Sequence, residues 1–431
     1  MSGDYDNDCY INWSNHIFDK RYIMIKKLGK GSFSSVWLSY DYNTNKCVAI
    51  KIFNKCDYEY GKEEIKKYCK IKDLNCSKLI ICNRTFKYNE KTSKEYHICM
   101  EMNLMGCDLY DLISNGNKIK SSSIIIIIKQ VLEVLYIMHK NKYIHGDIKP
   151  ENILLEELSN NTKNLCNKIL VLRKQFDLTN IKKKNIQSLS KKLSNCIISK
   201  YNSESDNNSE NDNNSENDNN SENDNNSEND NNSESENNSE SENYSEDEYK
   251  DKYEILTRDM NIKIGDNGSC ITPNEKRNKC IQTRYYRSPE VILGLQYDDK
   301  IDMWSLGCMI YELLTGEILF NPENTDININ IEHLYLISKS LGRIPEEMII
   351  KCKDYRIYFT KNENIYQLKG FNYIEQMSII NKIINNKENE TEYNCTKLLL
   401  DLMIKLLIID PKERLNSNQA LQHEVFNIIK I

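Results

Sequence analysis

From Ser203 to Glu248 the chain repeats Ser-Glu-Asn-Asp-Asn-Asn with a period of six residues. Such a tract has almost nothing apolar to bury, so it cannot offset the entropy of ordering and is expected to stay disordered. Six residues is also too short a period for a solenoid, and no position offers an apolar side chain to stack. Any fold this 431-residue chain adopts must therefore be assembled from the two arms that flank the tract. Loop length does not forbid this, because each doubling costs only about 0.6 kcal/mol. Two roles for the tract stay open. It is an expanded repeat without function, or an acidic tether that occupies a basic groove or presents its Ser-Glu and Ser-Asp steps for phosphorylation.

Charge divides along the same line. The net charge is −6, yet Ser203–Glu248 holds 17 of the 64 acidic residues and no Lys or Arg, so the remainder is basic. Fifteen scattered cysteines, with no paired CxxC motifs and no export-type N-terminus, predict reduced thiols and an intracellular protein of cytoplasm or nucleus. Met1–Tyr10 is acidic and polar. The longest apolar run, Ile124–Ile128, is far short of the roughly 18 residues of a membrane span. No membrane or nucleic-acid contact is expected.

The most informative block in the first arm is Tyr143–Leu155. Asp147 is followed two residues later by Lys149 and five later by Asn152, ahead of the apolar run Ile153–Leu155. An Asp at that spacing can accept a proton from an attacking hydroxyl, the Lys can neutralise a migrating phosphoryl group, and the Asn can hold a metal ion. Upstream, Tyr22–Leu28 reads as a strand entering a G-x-G turn. Leu28, Gly29, Lys30, Gly31, Ser32, Phe33, Ser34, Ser35 and Val36 form a strand–turn–strand able to approach phosphate oxygens, with Phe33 over the turn. About 20 residues on, Lys51 closes the strand Val48-Ala49-Ile50-Lys51. Gly61–Leu74 has helix character and projects Glu64 as the ion-pair partner of Lys51, with Glu63 as the neighbouring alternative. The strand Tyr96–Met102 runs into a linker through Glu101, Met102 and Asn103, where an adenine is expected to meet backbone groups, with Met100 behind. Ser121–Ser123 is expected to cap a long core helix reaching Lys140.

After Leu155 the pattern breaks, with Ile169–Leu178 the best helix candidate, and it resumes in the second arm at Ile262. Asp266 is placed to chelate the metal ions that bridge the phosphates. Thr283 can hydrogen-bond the Asp147/Lys149 pair. Glu290 is expected to pair with Arg414, and Asp302 to cap the backbone around His145, itself expected to be structural.

In this order the motifs resemble the eukaryotic protein kinases, over residues 21–430 apart from the insert. Within them the chain looks most like the SR-protein kinases, whose substrates are arginine/serine-rich splicing factors. The likeness rests on Phe33-Ser34-Ser35-Val36-Trp37-Leu38, on His145 to Leu155, on a spacer after this strand, on Ile281 to Glu290 and on Gly268-Ser269-Cys270. It implies an α+β bilobal kinase fold, with a β-rich lobe at 21–105, a helical lobe at 106–158 and 255–431, an acidic spacer at 159–254 and a lead-in at 1–20. It further implies Ser/Thr phosphotransfer from ATP with Mg²⁺ on Asn152 and Asp266. The expected partners are protein substrates, Arg/Ser-rich ones among them, and the expected state is a monomer. Small-molecule kinases share the His-Gly-Asp loop but lack Ser288-Pro289-Glu290 and Asp302-Met303-Trp304. A pseudokinase scaffold is the non-enzymatic alternative.

Three residues depart from the pattern. Gly146 stands where most kinases carry Arg, which implies activity without activation-loop phosphate. Asn267 replaces the apolar residue that packs under the metal-binding Asp, where a polar group must find a partner or loosen the site. Pro289 leans toward the broader group of cyclin-dependent, MAP and dual-specificity kinases and their proline-directed members.

Overall fold

The computed structural model describes residues 11–89, 95–114, 116, 118–174, 260–323, 328–362, 365–371 and 390–428. The acidic repeat, most of the spacer and the C-terminal part of the helix expected at Ile169–Leu178 lie outside the described residues.

The first arm opens with β1 (Ile17–Phe18), β2 (Tyr22–Lys30), β3 (Ser34–Asp41) and β4 (Lys46–Phe53), followed by α1 (Tyr58–Lys72), β5 (Arg84–Tyr88) and β6 (His97–Asn103). The six strands form one sheet in the order β1-β2-β3-β4-β6-β5, and each neighbouring pair is antiparallel. Alternation sets its two faces. Val48, Ile50 and Ile52 point into a core with Trp37 and Phe86, while Ala49 and Phe53 point to the face covered by α1. On α1 the buried residues Gly61, Glu64, Ile65, Tyr68 and Ile71 recur at helical spacing. A Cβ at Gly61 would lie 2.7 Å from both the Phe53 ring and an Ile98 methyl, so glycine sets how closely the helix approaches.

The expected loose lead-in at 1–20 is corrected by this sheet. Ile17 pairs with Ile23, and Trp13 is 2% exposed against Phe18, Tyr88 and His97. An indole brings more apolar area than a polar neighbourhood can keep in water. Residues 11–20 are therefore part of the lobe.

In the larger lobe α2 (Leu109–Ser114) precedes α3 (Ser121–Lys140), and a two-stranded ribbon pairs β7 (Ile153–Leu155) with β8 (Ile262–Ile264). By length and composition α3 could cross a bilayer, but its apolar face is buried in the main core. Its first serines do not cap it as expected. Ser121 Oγ shares a hydrogen bond with Thr396 Oγ1 and Ser122 Oγ donates to Glu392, so the two tie α3 to a helix 275 and 270 residues further along the chain.

The spacer begins as structure. Its first helix, α4 (Asn160–Lys174), buries Ile169 against Ile23, Ile25, Leu38 and Tyr40 on the small-lobe sheet, with Leu165, Cys166 and Leu170 beside it. The expected boundary at 159 thus gives way to a helix that packs on the lobe.

The second arm supplies α5 (Pro289–Ile292), α6 (Lys300–Thr315), α7 (Ile329–Leu341), α8 (Glu346–Lys351), α9 (Tyr355–Tyr358), the hairpin β9 (Phe359–Asn362) and β10 (Ile365–Leu368), α10 (Glu390–Leu406) and α11 (Ser417–Leu421). Most of α6 is buried, Glu312 included, where Tyr286 Oη donates to its carboxylate at 2.6 Å. Burial is the main reason that this acid is pushed up to about 7, with Tyr286 opposing. Because the folded value exceeds the ordinary 4.5, its contribution to stability is full below 4.5 and fades as pH rises through 7. Glu312→Gln is expected to leave Tm nearly unchanged at pH 5. At pH 8 it should stabilise by on the order of 1–3 kcal/mol. Thermal melts at the two pH values check this, and an equal effect at both would refute it.

Candidate functional site

The β7–β8 ribbon brings the two arms of the chain to one cleft. Ile153 faces Ile264, so Asn152, just before the first strand, lies beside Gly265, just after the second, and Gly265 N–H donates to Asn152 O at 2.8 Å. Asp266 follows in a left-handed conformation with φ 49°. This register aligns the catalytic-loop block of the first arm with the metal-type Asp of the second.

On the first arm, the Asp147 carboxylate gathers three donors besides Lys149. Thr283 donates to it from Oγ1 at 2.6 Å and from N at 3.2 Å, and Asn152 Nδ2 donates at 3.1 Å. Lys149 Nζ lies 3.0 Å from the other carboxylate oxygen and also donates to Thr283 Oγ1 at 3.0 Å. Burial alone would raise the acid; the Lys149 charge and the Thr283 hydroxyl outweigh it and hold Asp147 below the usual carboxylate range. It is ionised at neutral pH and within reach of a hydroxyl proton.

Behind this pair the loop is fixed by buried polar contacts. Asp302 accepts from the backbone N–H of His145 and of Gly146, each at 2.8 Å, and shares a hydrogen bond with His139 Nε2. His145 is fully buried, with Nε2 against Gly265 O and Nδ1 against Asp147 N–H, so it is a structural residue. Gly146 sits at φ +76°, and a Cβ there would come within 2.2 Å of Ile281. A side chain here would strain this left-handed backbone and displace Ile281, which favours glycine at the departure noted in the sequence.

On the facing lobe, Lys51 Nζ is 2.6 Å from Glu64 Oε1 and 3.5 Å from Asp266 Oδ1. Burial works against the ammonium, but Asp266 and Glu64 together hold its pKa above the ordinary lysine value. Glu64, not its neighbour Glu63, makes the pair; Glu63 faces solvent and binds Lys66. The glycine turn is an open arch: Leu28 and Phe33 are exposed, and Phe33 packs on the Tyr60 ring at 4.7 Å. Gly31 N–H closes the turn on Ser34 O at 2.8 Å, while Gly29 has open space around it. Ser34, in place of a third glycine, is buried. Lys30, Ser32 and Ser35 complete the arch, and Ser35 Oγ accepts from Trp37 Nε1.

Beside the arch, Val36, Ala49, Met102, Leu104, Met105 and Leu154 belong to one apolar cluster. Such a cluster suits contact with a flat, largely apolar ring. The expected linker begins within β6, the last strand of the sheet in chain order. Glu101 lies inside β6, paired with Ile50 on one side and Arg84 on the other, and its carbonyl accepts from Asn83 N–H at 2.9 Å. Its side chain turns to the opposite face of the sheet, where Tyr22 Oη donates to it. Asn103 pairs with Val48 and accepts from Asn83 Nδ2 at 2.8 Å. Both side chains thus face protein partners. The strand ends at Asn103, and Leu104–Met105 continue the chain against the same apolar cluster as Met102. The sequence did carry a signal for this: alternation sets Ile98, Met100 and Met102 on one face and Cys99 and Glu101 on the other.

Among the described residues no group of three or more His, Cys, Asp and Glu could hold a metal ion. Asp266, with its side chain about half exposed, and the Asn152 amide instead offer two oxygen ligands at the cleft. That set fits a hard cation that takes its remaining ligands from phosphate and water, as Mg²⁺ does.

Residues 22–170 and 250–426 match the sequence profile of the protein kinase domain, more than half of the chain. Among curated relatives, the serine/threonine-protein kinase AFC3 of Arabidopsis thaliana is 27% identical over 94% of this chain and 82% of its own length. The serine/threonine-protein kinase SRPK of Physarum polycephalum is 28% identical, over 94% and 86% respectively. The dual specificity protein kinase lkh1 of Schizosaccharomyces pombe is 24% identical over 98% of this chain, which spans 49% of that relative.

Proposed function

Since this chain belongs to the protein kinase domain family and is a protein serine/threonine kinase, we propose that it transfers the γ-phosphoryl group of ATP to Ser hydroxyls in Arg/Ser-rich proteins, using the residues gathered at the cleft. The observation that carries the chemistry is the convergence of Asp147, Lys149 and Thr283 on one side with Lys51, Glu64 and Asp266 on the other.

In this reading the adenine packs on the apolar cluster around Ala49 and Leu154, and the phosphates lie under the glycine arch. Lys51, kept charged by two carboxylates, holds phosphate oxygens. Asp266 and Asn152 would hold Mg²⁺, whose charge would offset that of the phosphates. Asp147 orients the substrate hydroxyl and takes its proton, Lys149 neutralises charge on the moving group, and Thr283 keeps those two in register. Little covalent chemistry falls to the protein, so positioning and charge account for most of the rate.

The Arg/Ser preference rests on the SR-kinase-like motifs and the similarity to the Physarum protein named SRPK. Acidic side chains that suit Arg-rich segments lie in the larger lobe at Glu323 and Glu332, where Glu332 accepts from the Glu323 amide at 3.1 Å. One observation favours a second reading, proline-directed phosphorylation. Gln282, just before Thr283, has φ +72°, and its carbonyl accepts from the Arg287 guanidinium at 2.8 Å. A backbone acceptor occupied in this way does not reward an N–H on the substrate residue beside it, and proline has none.

A kinase assay with an Arg-Ser repeat peptide and a Ser-Pro peptide separates the two, with Asp147→Ala as control. Label on the Arg-Ser peptide at a kcat/KM at least about tenfold higher is expected, a difference of about 1.4 kcal/mol. Preference for Ser-Pro would replace the first reading with the second.

A further inference from the structure

Helix α1 presents three polar side chains at spacing i, i+3 and i+4, which share one face of a helix. The first, Glu64, holds Lys51. The other two turn to the loop that carries Asp266. Lys67 Nζ donates to Gly268 O at 2.7 Å, and the buried Tyr68 Oη accepts from Asn267 N–H at 3.3 Å. From the loop, Asn267 Nδ2 donates to Ile80 O at 3.1 Å, while its buried Oδ1 has no partner among the described residues. Gly268 leaves no spare room, since a Cβ there would come within 3.0 Å of the Glu64 carboxylate.

We propose that Lys67 and Tyr68 are positioning residues that latch the metal-binding loop to α1 by hydrogen bonds, a task that apolar packing cannot perform around Asn267. The inference rests on the kinase reading above and adds to it the residues that set where the Asp266 carboxylate stands. A backbone at φ 49° is uncommon for a non-glycine residue and needs its surroundings to hold it. Gly268 and Asn267 are the next two residues, so fixing their backbone groups restricts the torsions that aim Asp266. The same face of α1 thus ties Lys51 and the metal loop together. A shift of the helix would break the ion pair and both loop contacts at once.

The test measures metal-dependent nucleotide binding without turnover. Thermal shift of the full chain with ADP is recorded as Mg²⁺ is titrated, for wild type, Lys67→Met, Lys67→Arg and Tyr68→Phe. Lys67→Met is expected to raise the Mg²⁺ midpoint roughly tenfold, as loss of one charged hydrogen bond allows. The shift with ADP alone should stay at the wild-type value. Lys67→Arg keeps a donor and should return the midpoint to within about threefold, and Tyr68→Phe should move it in the same direction as Lys67→Met. An unchanged midpoint in Lys67→Met beside a responsive wild type would overturn the latch alone. Equal losses with and without Mg²⁺ would also overturn it, since they report general loosening. A wild type that responds to neither ADP nor Mg²⁺ would overturn the latch and the kinase reading together.

Discussion

Asp147→Asn is expected to lower kcat by about 10³-fold or more while the KM for ATP changes no more than about threefold. The replacement keeps shape and size, so the loop held by Asp302 should stand. What it removes is specific. The amide cannot take a proton, and it can no longer accept at both ends from Thr283 and Lys149. One of those donors is left facing an NH₂ group. Steady-state kinetics with an equilibrium nucleotide-binding assay check the split, and turnover within tenfold of wild type would refute the role given to Asp147. A pH profile adds a second check. The native carboxyl sits below its ordinary value of 3.8, its burial outweighed by Lys149 and Thr283. Titration of Asp147 therefore produces no acid limb in kcat above about pH 4, and its contribution to folding is likewise lost only as pH falls through that depressed range.

Arg414→Met should unfold the larger lobe more readily than any surface change. The Arg414 guanidinium donates to both Glu290 oxygens, at 2.6 and 3.0 Å, and to the carbonyls of Lys300, Ile408 and Ile409. Both side chains are essentially without solvent contact. Methionine fills much of the volume but leaves Glu290 as an uncompensated buried charge, a loss of about 3–5 kcal/mol. In a domain of this size that corresponds to a Tm drop on the order of 5–15 °C. Pairing it with Glu290→Gln distinguishes the causes. The double variant should recover part of the loss, because the stranded charge is gone. A single variant that melts within about 2 °C of wild type would show that the pair stabilises little.

Much of the site was legible because its residues come in fixed local spacings: Asp147, Lys149 and Asn152 in one loop, Lys51 at a strand end, Asp266 after a short strand. The Glu290–Arg414 and Lys51–Glu64 pairs follow from the same motif order, and the structure brings each together. What local spacing could not supply was register. A Glu within a strand reads as a strand end, yet Glu101 is accommodated by Tyr22 and Arg21, partners remote in sequence. The helix after the catalytic block shows the same limit. Leu165, Cys166, Ile169 and Leu170 form a visible apolar stripe, but nothing near them announces that β2 and β3 will receive it. Trp13 sits among polar neighbours, so local sequence does not announce its burial, although its own area favours it. For Asn267 the sequence announces a polar group in need of a partner but not that Ile80 and Tyr68 supply it.

The ribbon of Ile153–Leu155 and Ile262–Ile264 also makes the molecule divisible. Asp147 and Asn152 lie on one side of the spacer, Asp266 and Thr283 on the other, and the main core draws α3 from the first side and α6 and α10 from the second. A peptide-bond break between 175 and 259 would sever no strand pair or core contact described here. A covalent link raises the effective concentration of the arms it joins. Fragments cut there are expected to regain turnover on mixing, in step with how tightly the two arms associate.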